Sequence, residues 1–251
     1  MKLAAIILSL FIMSSALASP GSIQATAQQF LYAVKTGEET DSLAEQLSNL
    51  TEAAITQELD TDCKKKAFWL NVYNGYVQML LKKDPLKYKS RNSFFSIKQV
   101  KVAGHQLSLD FIEHGILRRS KNKLSMGYFN KLFPSSLEKK WRVDSVDWRI
   151  HFALNCGASS CPPIAFYDAA KVDKQLDMAT RSYLTGDVEY DSSNNVVKVP
   201  KLMSWFRADF GGKDGTRKIL QDLQIIPGGS KPAIKYKDYD WTLTLQQYQD
   251  L

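Results

Sequence analysis

The chain has only three cysteines and three histidines in 251 residues, and this scarcity excludes a good deal. Three cysteines cannot all pair within one chain, so at least one thiol is free or bonded to another molecule, and a disulfide-dense scaffold is ruled out. Zinc fits poorly, because His151, Cys156 and Cys161 lack a fourth ligand at the usual paired spacing. No metal and no cofactor is expected. The formal charge is +7, yet no basic stripe with interleaved aromatics appears, which argues against a nucleic-acid partner. Internal repeats, low-complexity linkers and heptad runs are all missing. After the first turn of sequence, no apolar run approaches the length of a transmembrane helix.

The beginning of the chain carries a pattern of its own. Met1-Lys2 is followed by an apolar run from Leu3 to Met13 and then by Ser14-Ser15-Ala16-Leu17-Ala18. A cation, a short apolar core and an Ala-x-Ala end predict a secretory signal peptide, residues 1–18, cleaved after Ala18. The expected location is periplasmic or secreted. No cysteine lies near the cleavage point, so no lipid anchor is expected there. Roughly 230 residues then remain, enough for one large domain or two small ones, with a charge of about +6 once Lys2 leaves. A cationic exported protein can rest on anionic envelope surfaces. Nothing in the pattern specifies an oligomer.

Helical periodicity runs over residues 22–36 and 41–59. Asp62 is positioned to cap a helix over 63–81, and Lys64-Lys65-Lys66 is expected to form its solvated first turn. A hairpin is predicted around Gly104-His105, and a helix from Ser108 through Arg119. Further on come a helix over 172–185, a strand pair over 188–200, a short helix over 216–223 and an extended piece over 234–245. Helices come first and mixed elements follow, which predicts a single α+β domain with N-terminal helices, residues 19–60, packed on a mixed or antiparallel sheet.

Arg149 to Pro163 holds two of the three cysteines and one histidine. Ile150, Phe152 and Leu154 alternate with His151, Ala153 and Asn155, so a strand is predicted that runs into a turn freed by Gly157 and closed by Pro162-Pro163. Face parity sets His151 opposite Cys156, so a catalytic pair needs the strand to end or bulge before Cys156. Two helices carry polar residues on apolar faces. On the 63–81 helix Asn71, Asn74 and Gln78 fall in an arc of about 60°. They either satisfy neighbouring backbone or line a cavity. On the next helix Glu113 falls within the apolar arc, while Asp110, His114 and Arg118 share one side. A carboxylate so placed needs a partner, most simply Arg118, Arg149 or an amide.

Phe68-Trp69-Leu70-Asn71-Val72-Tyr73-Asn74, the run Leu107 to Arg118, and His151 to Pro163 together resemble the family called domain of unknown function 547. Val199 to Phe210 and Tyr239 to Leu243 are similar to its C-terminal part. The resemblance spans about Asp62 to Leu245 and sets a domain over 61–251. It implies a single important thiol at Cys156 rather than an obligatory disulfide.

Two readings follow. In the first, the protein is a thiol-dependent hydrolase or acyl transferase acting on an unknown small molecule or peptide, by analogy with papain- and transglutaminase-like enzymes. Cys156 is the nucleophile, His114 the preferred base and His151 the second, with Glu113, Asn71 or Asn74 orienting the imidazole. Backbone N–H groups around Gly157–Ser159 form an oxyanion hole, and Arg118, Ser159, Ser160 and Gln78 contact substrate. In the second, the protein is a noncatalytic binding module of the envelope, with Cys156 structural or bridged to Cys161.

Overall fold

The structure is a computed structural model that describes residues 21–251; the expected signal peptide lies outside them. α1 (Ile23–Thr36) is capped by Ser22, whose hydroxyl accepts from Ala25 N–H, and is stopped by Gly37 at φ 80°. The long helix expected next is two helices, α2 (Asp41–Asn49) and α3 (Glu52–Glu58). Leu50 is extended, and the Thr51 hydroxyl caps the second helix by accepting from Ala54 N–H.

α4 (Asp62–Lys83) is the central rod, buried around most of its circumference. Its cap is Thr61, not Asp62; Asp62 instead accepts from the backbone of Asp144 and Ser145. α1 packs along α4, where a Cβ on Gly75 would lie 2.6 Å from the Phe30 ring. Gly75 thus admits a side chain rather than a second backbone. The lysine run is only partly solvated. Lys66 is buried and binds Asp147 at 2.7 Å and Asp173 at 3.3 Å.

After α4 a 3-10 turn over Pro85–Ser90 leads into α5 (Arg91–Ser96). β1 (Val100–Val102) and β2 (His105–Leu107) form the expected antiparallel hairpin. The segment Phe111–Leu117 is π-helical, with Arg118 N–H donating to Glu113 C=O five residues back at 2.8 Å. α6 (Ser136–Trp141) packs beneath it. α7 (Val172–Asp187) precedes a mixed sheet in which β4 (Val196–Val199) lies between antiparallel β3 (Glu189–Asp191) and parallel β5 (Ala233–Tyr236). α8 (Leu202–Trp205) and α9 (Gly212–Asp222) connect β4 to β5.

The fold is therefore a single α+β domain with small sheets. A large core surrounds α4. A second apolar cluster, centred on Phe152, Leu184, Met203, Phe210 and Leu220, lies under the three-stranded sheet.

The strand expected at Arg149 is instead a 3-10 turn, Trp148–Phe152. Asp147 starts the turn, its carboxylate accepting from Arg149 N–H at 3.1 Å. The alternation of Ile150, Phe152 and Leu154 misleads because His151, Ala153 and Asn155 are buried as deeply. Both residue sets meet protein, so period two carries no in–out meaning here.

Candidate functional site

The amide stripe on α4 holds the site's irregular segments in place. Asn71 donates to Tyr167 C=O at 2.8 Å and accepts from Tyr167 N–H at 3.0 Å. Asn74 donates to Ala153 C=O and accepts from Asn155 N–H, both at 2.9 Å. Gln78 donates to Asn155 Oδ1 at 3.3 Å and accepts from Gln246 N–H at 2.9 Å. Each buried amide thus replaces a strand neighbour for a segment that has none. Asn71, Asn74 and Gln78 therefore anchor backbone and do not face a cavity; of the two roles open to them, the satisfied-backbone one holds.

Asn155 carries this order into the cysteine loop. Its Oδ1 accepts from Gly157 N–H and its Nδ2 donates to Pro162 C=O, closing the loop on itself. Gly157 sits at φ 85°, a conformation suited to glycine. Cys156 and Cys161 are joined in a disulfide across this loop. The free nucleophile expected at Cys156 is therefore bridged in this state, and the resemblance-based expectation of a lone thiol is corrected. The end of the chain straps along the loop. Ser159 N–H donates to Thr242 C=O, Thr244 N–H donates to Gly157 C=O, and Asp240 N–H donates to Ser160 Oγ. The N–H of Ser159 and the hydroxyl of Ser160 are thus engaged by the C-terminal segment, and the N–H of Ser159 is unavailable to an oxyanion.

A cavity of about 580 Å³ opens beside the bridge. Glu113, His114, His151 and Cys156 all line it. The parity objection to a His151–Cys156 meeting falls away because no strand is present. Tyr73, Trp205, Phe206, Tyr239 and Trp241 supply aromatic walls, and Arg91 and Lys123 supply charge. Trp205, Tyr239 and Trp241 pack together with centroids 4.5–5.5 Å apart, the two indoles stacked and the phenol tilted against both.

Behind the cavity lies a buried ionic cluster. Asp209 Oδ2 accepts from Arg118 Nε at 2.7 Å and from His151 Nε2 at 2.9 Å. Arg118 also donates through Nη1 to His114 Nδ1 at 2.9 Å, and its guanidinium lies 4.5 Å from the Phe206 ring centre. A guanidinium has only donors, so His114 Nδ1 must be a lone pair and Nε2 must carry the proton. His114 is therefore built as a hydrogen-bond donor at Nε2, the reverse of the base expected. His151 is the same tautomer engaged from the opposite nitrogen: its Nε2–H donates to the Asp209 carboxylate, so the nitrogen left over is the Nδ1 lone pair. Burial holds both imidazoles neutral. It depresses His151 to about 4, with Asp209 opposing and nearby Arg118 reinforcing, and it pushes His114 well below the usual range with help from Arg118. Burial alone would raise Asp209, but hydrogen bonds from His151 and Arg118 outweigh it and bring the carboxyl to about 2. Arg118 is thus fully buried and engaged through Nε and Nη1, while its Nη2 has no hydrogen-bond partner among the described residues.

Glu113 is largely buried, yet its partner is not a cation. Tyr73 Oη lies 3.3 Å from Oε2, and His114 Nδ1 lies 3.6 Å from Oε1. Burial raises the carboxyl to about 7 despite the field of Arg118, so it titrates in the physiological range.

Sequence reading missed Asp209, Tyr73 and Tyr239. Asp209 and Tyr239 lay within stretches noted for resemblance, but their partners are 58 or more residues away and no local pattern signals the contact.

The chain belongs to the family described as "Protein of unknown function, DUF547", which matches residues 56–184. Cys156, His151, His114 and Glu113 fall inside that region, whereas Trp205, Phe206, Asp209 and Tyr239 come from beyond it. A search among curated proteins and among solved structures finds no match, so no structural relative stands behind a papain- or transglutaminase-like layout. The disulfide is compatible with an extracellular location, and among the described residues no helix is long and apolar enough to cross a membrane.

Proposed function

We propose that the protein is an exported envelope protein whose cavity binds a small organic molecule with a flat apolar body and a polar end, and that with the bridge closed it binds without turnover. The observation that carries this reading is the combination of an aromatic wall with a few convergent polar groups, Glu113, His114 and His151, in one cavity of about 580 Å³. The closed Cys156–Cys161 bridge supports binding over nucleophilic chemistry. Export with cleavage after Ala18 belongs to the same reading, since a bridge persists in an oxidising compartment. Anilinonaphthalene sulfonate, an aromatic anion, tests it. One equivalent is expected to bind the folded, oxidised protein, with affinity lost in Trp205→Ala. Binding that is absent, or unchanged in that variant, overturns the assignment.

One observation favours a second reading, thiol-dependent acyl transfer by the reduced protein. Cys156 shares the cavity with His151, whose tautomer is set by Asp209. p-Nitrophenyl acetate hydrolysis is then expected only after reduction and not in Cys156→Ser.

A surface segment that meets the cavity at Lys123, Leu124 and Met126 adds a surface partner. Leu132 and Phe133 are 87% and 94% exposed, and Leu124 and Phe129 also project. They lie on a segment with Arg119, Lys121, Lys123 and Lys131 and no carboxylate between Arg119 and Leu137; Lys123 and Lys131 are paired with Asp110 and Glu138, which leaves Arg119 and Lys121 to meet an anionic surface. Apolar tips amid cations suit an anionic lipid surface, which supports contact with the envelope membrane beside the cavity mouth.

A further inference from the structure

The two sulfurs of the bridge are not equivalent. Cys156 is half-buried and lines the cavity, whereas Cys161 is 3% exposed and does not. The donors gather on the buried one. Cys156 N–H points to Cys161 Sγ at 3.0 Å, Ala158 N–H at 3.3 Å, and Tyr239 Oη lies at 3.1 Å. A disulfide sulfur is a weak acceptor and gains little from such surroundings. A thiolate at the same position gains much, because backbone N–H groups and hydroxyls are what lower a cysteine's pKa and make it a good leaving group. Tyr239 also sits 3.2 Å from Cys156 Sγ, so it can follow the charge from one sulfur to the other. Burial keeps its phenol protonated by raising its pKa.

We propose that the Cys156–Cys161 bridge is a thiol–disulfide exchange site with a fixed direction, in which a low-molecular-weight thiol enters the cavity and attacks Cys156, and Cys161 leaves as the stabilised thiolate. In the first step a thiolate, RS⁻, forms a bond to Cys156 Sγ while the Cys156–Cys161 bond breaks, and the electron pair goes to Cys161 Sγ. In the second step another RS⁻ attacks the outer sulfur of the mixed disulfide. RSSR leaves and the electron pair remains on Cys156. The net change is oxidation of two small thiols and two-electron reduction of the bridge. The inference goes beyond ligand binding and depends on access from the cavity, not on the identity of its ligand.

The test is trapping of the mixed disulfide. Folded Cys63→Ser protein is mixed with reduced glutathione, quenched with N-ethylmaleimide and mapped by mass spectrometry. Glutathione is expected on Cys156 and maleimide on Cys161. In Tyr239→Phe, with its circular dichroism unchanged, formation of the adduct is expected to slow by roughly three- to tenfold, the effect of one hydrogen bond on a leaving thiolate. Cys161→Ser, incubated with oxidised glutathione, gives the same adduct at Cys156 by the reverse reaction. Glutathione found on Cys161, or reduction occurring only at the rate of global unfolding, overturns the proposal. Loss of dye binding with normal exchange counts against the ligand-binding reading alone.

Discussion

Nε2 of His151 lies 2.9 Å from Oδ2 of Asp209, across 58 residues of chain. The same oxygen accepts from Arg118 Nε, so one carboxylate fixes a tautomer and neutralises a buried cation. The 3-10 turn, the π-helical segment and the stretch between α8 and α9 are joined at this atom.

Asp209→Asn removes that charge and leaves Arg118 buried without a counter-ion. Breaking such a pair on one side costs about 3–5 kcal/mol. Urea denaturation at pH 7 is expected to show a loss of that order. A loss under about 1 kcal/mol would mean that the cluster is solvated and does not hold the three segments.

Glu113 works against stability at neutral pH. Its folded pKa, about 7, lies above the ordinary 4.5, so between these values the folded state binds more protons than the unfolded one. Stability therefore falls as pH rises from about 4.5 to 7 and is flat above that. The full effect is bounded at about 3 kcal/mol. Glu113→Gln, which keeps the shape without the charge, is expected to be more stable than wild type at pH 8 and equal to it near pH 4.5. Equal midpoints at both pH values would contradict the raised pKa.

The histidines act in the opposite direction. His151 is depressed to about 4 and His114 also lies low, while unfolded imidazoles protonate near 6.5. Stability is therefore lost as pH falls from about 6.5 towards 4. Wild type balances this loss partly against Glu113, so Glu113→Gln is expected to lose stability more steeply in this window. A flat profile in that variant would place the imidazoles in water.

Helix-borne parts of this architecture were legible because α1 and α7 follow the 3.6 period, α4 is a long apolar run, and Ser22 and Thr61 cap α1 and α4 locally. The sharing of one side by Asp110, His114 and Arg118 survives even in the π-helical turn: His114 Nε2 is 3.7 Å from Asp110 and Nδ1 is 2.9 Å from Arg118. The cavity brings together Glu113, His114, His151 and Cys156, from two of the three polar segments expected to meet; Asn71 and Asn74, expected with them, are turned to the backbone of Tyr167, Ala153 and Asn155 instead. The roles were less legible. A wheel shows that Asn74 is on the core side but not that it meets the backbone of Ala153, 79 residues away. Alternation cannot distinguish a strand from a 3-10 turn when every side is buried, and this is why the neighbourhood of His151 was misread. Which base each histidine offers depends on Arg118 and Asp209, and only the tertiary structure supplies the second.

The exposed surface segment predicts membrane behaviour. Wild type is expected to co-sediment with vesicles of phosphatidylglycerol and phosphatidylethanolamine at low salt and to release at about 0.5 M salt, where screening shortens to a few ångströms. Leu132→Ser with Phe133→Ser is expected to weaken binding by at least about tenfold, given the apolar area lost. Binding that survives this change but not high salt would reduce the contact to charge alone.

The cysteines separate the remaining alternatives. In the folded, oxidised protein iodoacetamide has one target, Cys63, and the reaction is expected to be slow. Burial and the adjacent Asp173 raise that thiol's pKa, and its sulfur lies 3.7 Å from the Asp173 carboxylate, so little nucleophilic thiolate is present. Non-reducing peptide mapping is expected to recover Cys156 and Cys161 in one cross-linked peptide pair. After reduction without unfolding, Cys156 is expected to label faster than Cys63, because it opens on the cavity and has the Tyr239 hydroxyl beside it. His114→Gln should leave that rate unchanged, since His114 presents Nε2–H and not a lone pair to its surroundings. A strong slowing in His114→Gln would restore His114 as the base and reverse the tautomer argument. Labelling of Cys63 ahead of Cys156 in the reduced protein would make the bridge a packing feature and would leave ligand binding as the cavity's role.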